Sequence, residues 1–117
     1  MLTREQILAV QDITQETVEV PEWGGSVYVR GMTGTERDAF EQKILVQKGK
    51  KREANMDMFR AKLIAYSVCD EKGELLFAEE DIEALGKKSA SALQRIFDVA
   101  MRLSGLSPDD AEELTKN

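Results

Sequence analysis

Histidine is missing altogether from this chain of 117 residues, cysteine occurs once, and proline twice. Each scarcity excludes a class of chemistry. Without histidine there is no usual general base, no usual zinc ligand and no ordinary pH switch near neutrality. A lone Cys69 forms no internal disulfide and has no partner to activate it as a nucleophile, so it is expected to be a buried helix residue. Ser-His chemistry is equally out of reach. Positive charge is in short supply: 16 basic against 22 acidic side chains leave a net charge of −6. That balance argues against broad nucleic-acid binding, which needs a basic footprint. No apolar run approaches the roughly 20 residues that span a bilayer. The opening residues Met1 to Gln6 are polar and charged where a signal peptide is apolar, so the cytoplasm is the expected compartment.

What the chain does have is enough apolar content, 42%, for one folded domain over residues 1–117. A domain of this size buries about two-thirds of the surface of its unfolded chain. No internal repeat or interdomain linker is visible. Thr3 with Gln6 reads as a capping box for a short helix carrying Ile7, Leu8 and Val10. A helix that short must dock on something to persist.

Val18 and Val20, then Val27 and Val29, alternate on either side of Pro21-Glu22-Trp23-Gly24-Gly25-Ser26, a hairpin signal. Two registers fit. A turn at Gly24-Gly25 pairs Glu19 with Arg30 and Val20 with Val29. A turn from Glu22 to Gly25 pairs Val20 with Val27 and Val18 with Val29, bringing more valines together. Pro21 cannot donate to a ladder, which places its strand at an edge.

Thr33 or Thr35 caps a second helix through Ala39, Phe40, Ile44 and Leu45, running to Val46 or Lys48. Lys48-Gly49-Lys50-Lys51-Arg52 then reads as a solvated loop between helices. Met56, Phe59, Leu63 and Tyr66 give a third helix from Asn55 to about Asp70. Leu75-Leu76-Phe77 is a short strand or a buried connector. An acidic helix from Ala78 stops at Gly86. Ser89 or Ser91 caps a longer helix with the stripe Leu93, Ile96, Phe97, Ala100 and Leu103, Met101 at its margin, ended by Gly105. Ser107-Pro108-Asp109-Asp110 starts a last helix with a narrow apolar side. The expected fold is therefore α+β and mostly helical, an N-terminal β-hairpin packed on four to five helices. Residues 106–117 form a weakly held, mobile C-terminal helix.

Carboxylates are plentiful, but Glu79-Glu80-Asp81 and Asp109-Asp110 lie at expected helix N-termini, where acids favour the dipole. No metal or other cofactor is expected, nor a membrane or nucleic-acid partner. The positions chosen as partner-binding candidates are Pro21, Glu22 and Trp23 at the hairpin turn, and Leu106, Asp109, Asp110 and Leu114 in the C-terminal segment. For Trp23 itself, a place at the edge of the core is the stronger expectation.

Three segments taken in order carry a resemblance. Val18-Glu19-Val20-Pro21-Glu22-Trp23-Gly24-Gly25 precedes Val27-Tyr28-Val29-Arg30. Gly31-Met32-Thr33-Gly34-Thr35-Glu36-Arg37-Asp38 follows, with Phe40-Glu41. Leu103-Ser104-Gly105-Leu106-Ser107 leads to an acidic end at Lys116-Asn117. This order, spanning most of the chain, resembles the tail assembly chaperones of long-tailed, non-contractile bacteriophages. The resemblance implies a non-enzymatic protein that binds the tape measure protein, helps recruit tail tube subunits and is absent from the finished virion. It also implies self-association around a long rod. A programmed frameshift near the end is a further implication, since Thr115-Lys116-Asn117 can be encoded by a slippery heptamer. The alternatives are a structural tail or head-completion protein that stays in the particle, and a small bacterial regulatory adaptor.

Overall fold

The computed structural model of the chain describes residues 1–48, 50–54 and 58–106, with the strands at 45–48 and 51–54 seen through their backbone alone. Among these residues the order is α1 (Arg4–Ala9), β1 (Gln15–Val20), β2 (Gly25–Arg30), α2 (Gly34–Ile44), β3 (Leu45–Lys48), β4 (Lys51–Ala54), α3 (Phe59–Ala65), β5 (Val68–Cys69), α4 (Ile82–Gly86) and α5 (Ala90–Leu103). The fold is α+β and mostly helical, as the alternation of hairpin and helix signals implies.

The main sheet is antiparallel, in the order β1-β2-β5, so β1 lies at an edge as Pro21 requires. The register differs from both expected ones. Val18 pairs with Val27, Glu19 with Ser26 and Val20 with Gly25. The reason lies in the turn. Pro21 fixes its own φ and opens a tight 3-10 turn over Pro21–Trp23, which Gly24 closes at φ 70°. That left-handed conformation costs a glycine nothing and other residues about 1 kcal/mol or more. Strand β2 therefore begins at Gly25.

α5 is the helix that seals the sheet. Ala92, Leu93, Ile96, Ala100 and Met101 are buried on its inner side. Ser89 caps it, its Oγ accepting from the Ala92 N–H at 3.1 Å. Val20, Val29, Phe40, Ile44, Leu63, Ile64 and Ile96 are fully buried and form the centre of the core. Phe59 joins the layers, with ring centroids 5.5 Å from Phe40 and 5.7 Å from Phe97. Between β2 and α2 the chain passes so close to the end of α5 that a Cβ on Gly31 would stand 2.4 Å from the Leu103 carbonyl oxygen. Only glycine fits there.

Arg30 ties the strand end to the following helix. Its Nη1 and Nη2 donate to Glu36 Oε1 and Oε2, each at 2.8 Å, and its Nε donates to the Gly73 carbonyl at 2.7 Å. Glu36 is also the reciprocal partner of the Thr33 cap of α2: Thr33 Oγ1 accepts from the Glu36 N–H at 3.1 Å, and Glu36 Oε1 from the Thr33 N–H at 2.9 Å. The Arg30 fork holds the Glu36 carboxyl at about 2, well below the usual glutamate value of 4.5.

Several boundaries depart from expectation. α2 stops at Ile44, and the basic stretch is a β-hairpin rather than a helix–helix loop: β3 and β4 pair with Lys48 opposite Lys51 and Gln47 opposite Arg52. Glycine at position 49 disfavours a further helical turn, and the short runs on either side pair instead. α3 begins at Phe59, not Asn55, because Met58 takes φ 56°, outside the helical region. It ends at Ala65, not near Asp70. β-branched Val68 pairs with Val29, and Cys69 with Tyr28. Cys69 is thus buried in a strand, not in a helix, and burial pushes its thiol pKa up. Leu75 bridges Cys69 while Leu76 is exposed, so the Leu75–Phe77 run is neither a full strand nor a buried connector.

Candidate protein-interaction surface

The N-terminal helix, expected to dock on something, finds no cover within its own described domain. The Thr3–Gln6 capping box forms as expected: Thr3 Oγ1 accepts from the Gln6 N–H at 3.2 Å, and Gln6 Oε1 from the Thr3 N–H at 2.9 Å. Yet no residue of α1 is buried. Leu2 is 74% exposed, Leu8 68%, Val10 58% and Ile7 53%, with Ile13 also exposed on the way to β1. The Gly31 N–H donates to the Thr14 carbonyl at 3.1 Å, fastening the arm where the sheet begins. Residues 1–13 therefore form an apolar arm outside a core that is complete without them. Clustered exposed apolar side chains of this kind mark contact surfaces.

The hairpin corner is built differently. Glu22 accepts from Ser91 Oγ at 2.7 Å and from Arg95 Nε at 3.0 Å, which lowers its pKa through the Ser91 bond first. Trp23 is half-buried against the core. A parallel tie joins Glu16 to Arg102 at 2.7 and 2.9 Å and lowers the Glu16 pKa. Glu22 thus ties the exposed hairpin corner to α5, while Trp23 packs at the edge of the core.

The end of α5 explains Leu106. The Leu106 N–H donates to the Met101 carbonyl at 2.8 Å and the Gly105 N–H to the Arg102 carbonyl at 3.2 Å, with Gly105 at φ 71°. These are the two bonds of a Schellman cap, whose usual hydrophobic contact joins the Leu106 and Met101 positions. Both side chains are buried. Leu106 finishes its own helix, so its side chain is spent inside the fold. Asp109, Asp110, Leu114 and the expected last helix lie outside the described residues.

A family model described as phage tail assembly chaperone matches residues 3–117. The chain belongs to this family. Its fold is similar to that of the solved structure of the bacteriophage HK97 tail assembly chaperone, with a TM-score of 0.58 at 19% identity, covering 85% of this chain and 90% of that one. No curated protein matches the chain.

A tail assembly chaperone works by contact with tail proteins, and the side chains here are disposed for contact. Among the described residues no group of three or more Asp, Glu or Cys is placed to hold a metal ion, and no helix is long and apolar enough to cross a membrane. Of the sequence-chosen positions, the structure brings Pro21, Glu22 and Trp23 together at the hairpin corner, with Pro21 and Glu22 exposed and Trp23 half-buried. The arm is what sequence reasoning missed. Leu2, Ile7, Leu8 and Val10 were legible as apolar, but apolar type alone does not say whether a side chain faces a core or a partner.

Proposed function

We propose that this tail assembly chaperone is non-enzymatic and binds the tape measure protein through the apolar side of its N-terminal arm, with tail tube subunits as a second partner. It works in the host cytoplasm and leaves before the virion is complete. The observation that supports this reading is the exposure of Leu2, Ile7, Leu8 and Val10 on an arm with no buried residue, beside a core that does not need it. A tape measure protein is a long rod, and an apolar-sided helix is a natural complement to another such helix.

Co-expression with a tape measure fragment tests the reading. The wild-type chain is expected to co-purify with the fragment and keep it soluble, and an Ile7→Asp, Leu8→Asp double variant to do neither. Failure of the wild-type chain to retain the fragment overturns the proposed partner. Equal retention by the double variant overturns the proposed surface. Mass spectrometry of purified virions checks departure: a chain found there in stoichiometric amount is a structural component instead.

A further inference from the structure

Strand β1 is the outer strand of the main sheet, and two bonds fix which of its backbone groups face outward. The Arg30 N–H donates to the Ser67 carbonyl at 2.9 Å, on the β5 side, and the Gly31 N–H to the Thr14 carbonyl at 3.1 Å, on the β1 side. Facing alternates along a strand, so Val27 and Val29 turn their backbone groups to β1, where Val18 and Glu16 are their partners. Gln15, Thr17 and Glu19 then direct their N–H and C=O groups away from the sheet. All three residues are exposed, and among the described residues nothing bonds to these outward groups.

Exposed edges are commonly blunted by a bulge, by lysine or by a covering element. Among the described residues β1 has none of these. It pairs with β2 one to one along its six residues, and only Pro21 ends it. Its charges are Glu16 and Glu19 alone. Pairing with β1 of a second copy would set these carboxylates in adjoining strands with no cation in either, between chains that each carry a net charge of −6. An incoming strand that brings cations meets no such repulsion.

The flank of α5 beside this edge adds a second requirement. Arg95, Val99 and Arg102 recur at helical spacing on one side of the helix. Arg95 reaches Glu22 beyond one end of β1, and Arg102 reaches Glu16 near the other, which places half-buried Val99 between two ion pairs. Side chains of an added strand alternate between the two faces of the sheet. One face offers Val99 between arginines already neutralised. The other offers Glu19 on the side of Thr17 and its partner Tyr28. We propose that the free edge of β1 receives an extended, basic strand of another protein, held by main-chain hydrogen bonds at Gln15, Thr17 and Glu19. Its apolar side chains point towards Val99, and a lysine or arginine stands opposite Glu19. This surface is distinct from the apolar side of the N-terminal arm.

Amide NMR of the full chain, titrated with a capped peptide that alternates lysine and valine over the length of β1, tests this. The amides of Gln15, Thr17 and Glu19 are expected to shift and to exchange more slowly with solvent. A peptide of the same composition, its lysines and valines in two blocks, is expected to bind at least about tenfold more weakly. Thr17→Pro removes an outward N–H and no bond to β2, so it is expected to weaken binding about tenfold in a folded chain. Glu19→Lys is expected to weaken it about threefold or more, a readout that stands should the proline variant unfold. Shifts absent from β1, equal binding of the block peptide, or unchanged binding by Glu19→Lys overturn the proposal. Loss of peptide binding in the Ile7→Asp, Leu8→Asp variant also overturns it, because the site would then be the arm. So does self-association of the wild-type chain that Thr17→Pro abolishes, because the occupant would then be a second copy.

Discussion

The hairpin corner and the N-terminal arm use similar materials to opposite ends. Each has a short helical turn, bulky apolar side chains and a few charges. At the corner, Val18, Val20 and Val29 are buried, and Glu22 and Glu16 spend their carboxylates on Arg95 and Arg102 of α5. On the arm, Ile7, Leu8 and Val10 stay exposed, and the polar groups of Thr3 and Gln6 satisfy only each other. The difference teaches that apolar character measures the need for a partner surface, while connectivity decides whether that surface lies in the same chain. The corner holds the fold together, and the arm remains free to hold something else.

If that division is right, substitutions at the two places separate stability from binding. The largest loss is expected within the layer that the corner clamps. Ile96 is fully buried between the sheet and α3, so Ile96→Ala should cost about 3–4 kcal/mol through lost burial and a residual cavity. Urea unfolding checks it, and a loss under about 1 kcal/mol would mean that α5 is not the seal described. The next effect is electrostatic. Glu36 titrates at about 2 in the folded chain against 4.5 ordinarily, so protons bind the unfolded chain more readily across that interval. Its contribution is complete above pH 4.5 and is lost as pH falls towards 2, amounting to on the order of 2–3 kcal/mol. Glu36→Gln should therefore lower stability at pH 7 and leave a flatter loss on acidification between those pH values. A variant whose acid limb has the same slope as the wild type would show that other carboxylates carry it.

The legible parts of the fold were those fixed by local chemistry. Thr3 was readable as a cap, and Thr33 and Ser89 each as one of two candidates, because a cap is a contact within a few residues, and Pro21 gave the edge strand. The stripe on α5 was readable because one period repeats over four turns. The misses came where tertiary pairing overrules local pattern. Val68 and Cys69 continue a helical rhythm, but β2 offers them a strand partner at Val29 and Tyr28. The register of the hairpin slipped because a turn starting at Pro21 and a turn starting at Glu22 leave equally good alternations. The candidate site was least legible. Trp23 sits at the core edge as its sequence suggested, but nothing near Glu22 reveals that Ser91 and Arg95, some 70 positions away, will bond its carboxylate. The arm's docking surface was left open for a related reason: a short apolar helix needs cover, but its sequence does not say whether its own core or another chain supplies it.

A smaller test falls at the end of α5. Leu106 closes the Schellman cap against Met101, so Leu106→Ala should destabilise by about 2 kcal/mol, less than a central core truncation because the site can relax toward solvent. Binding of a tail protein partner by the folded fraction should be unchanged. Impaired binding at full folding would return Leu106 to the contact surface.

The smallest effect on stability is the one that bears most on function. Ile7→Asp with Leu8→Asp changes two exposed positions on a helix that buries nothing, so unfolding should move by no more than about 0.5 kcal/mol. The arm's helix is marginal by length, and its capping box is untouched by the substitutions. A drop beyond about 1 kcal/mol would show that the arm packs on its own domain in solution, and the contrast with the corner would collapse. An unchanged unfolding curve together with lost retention of the tape measure fragment is the expected outcome, because a surface that contributes nothing to the fold yet exposes four large apolar side chains has its cost offset only when a partner covers it.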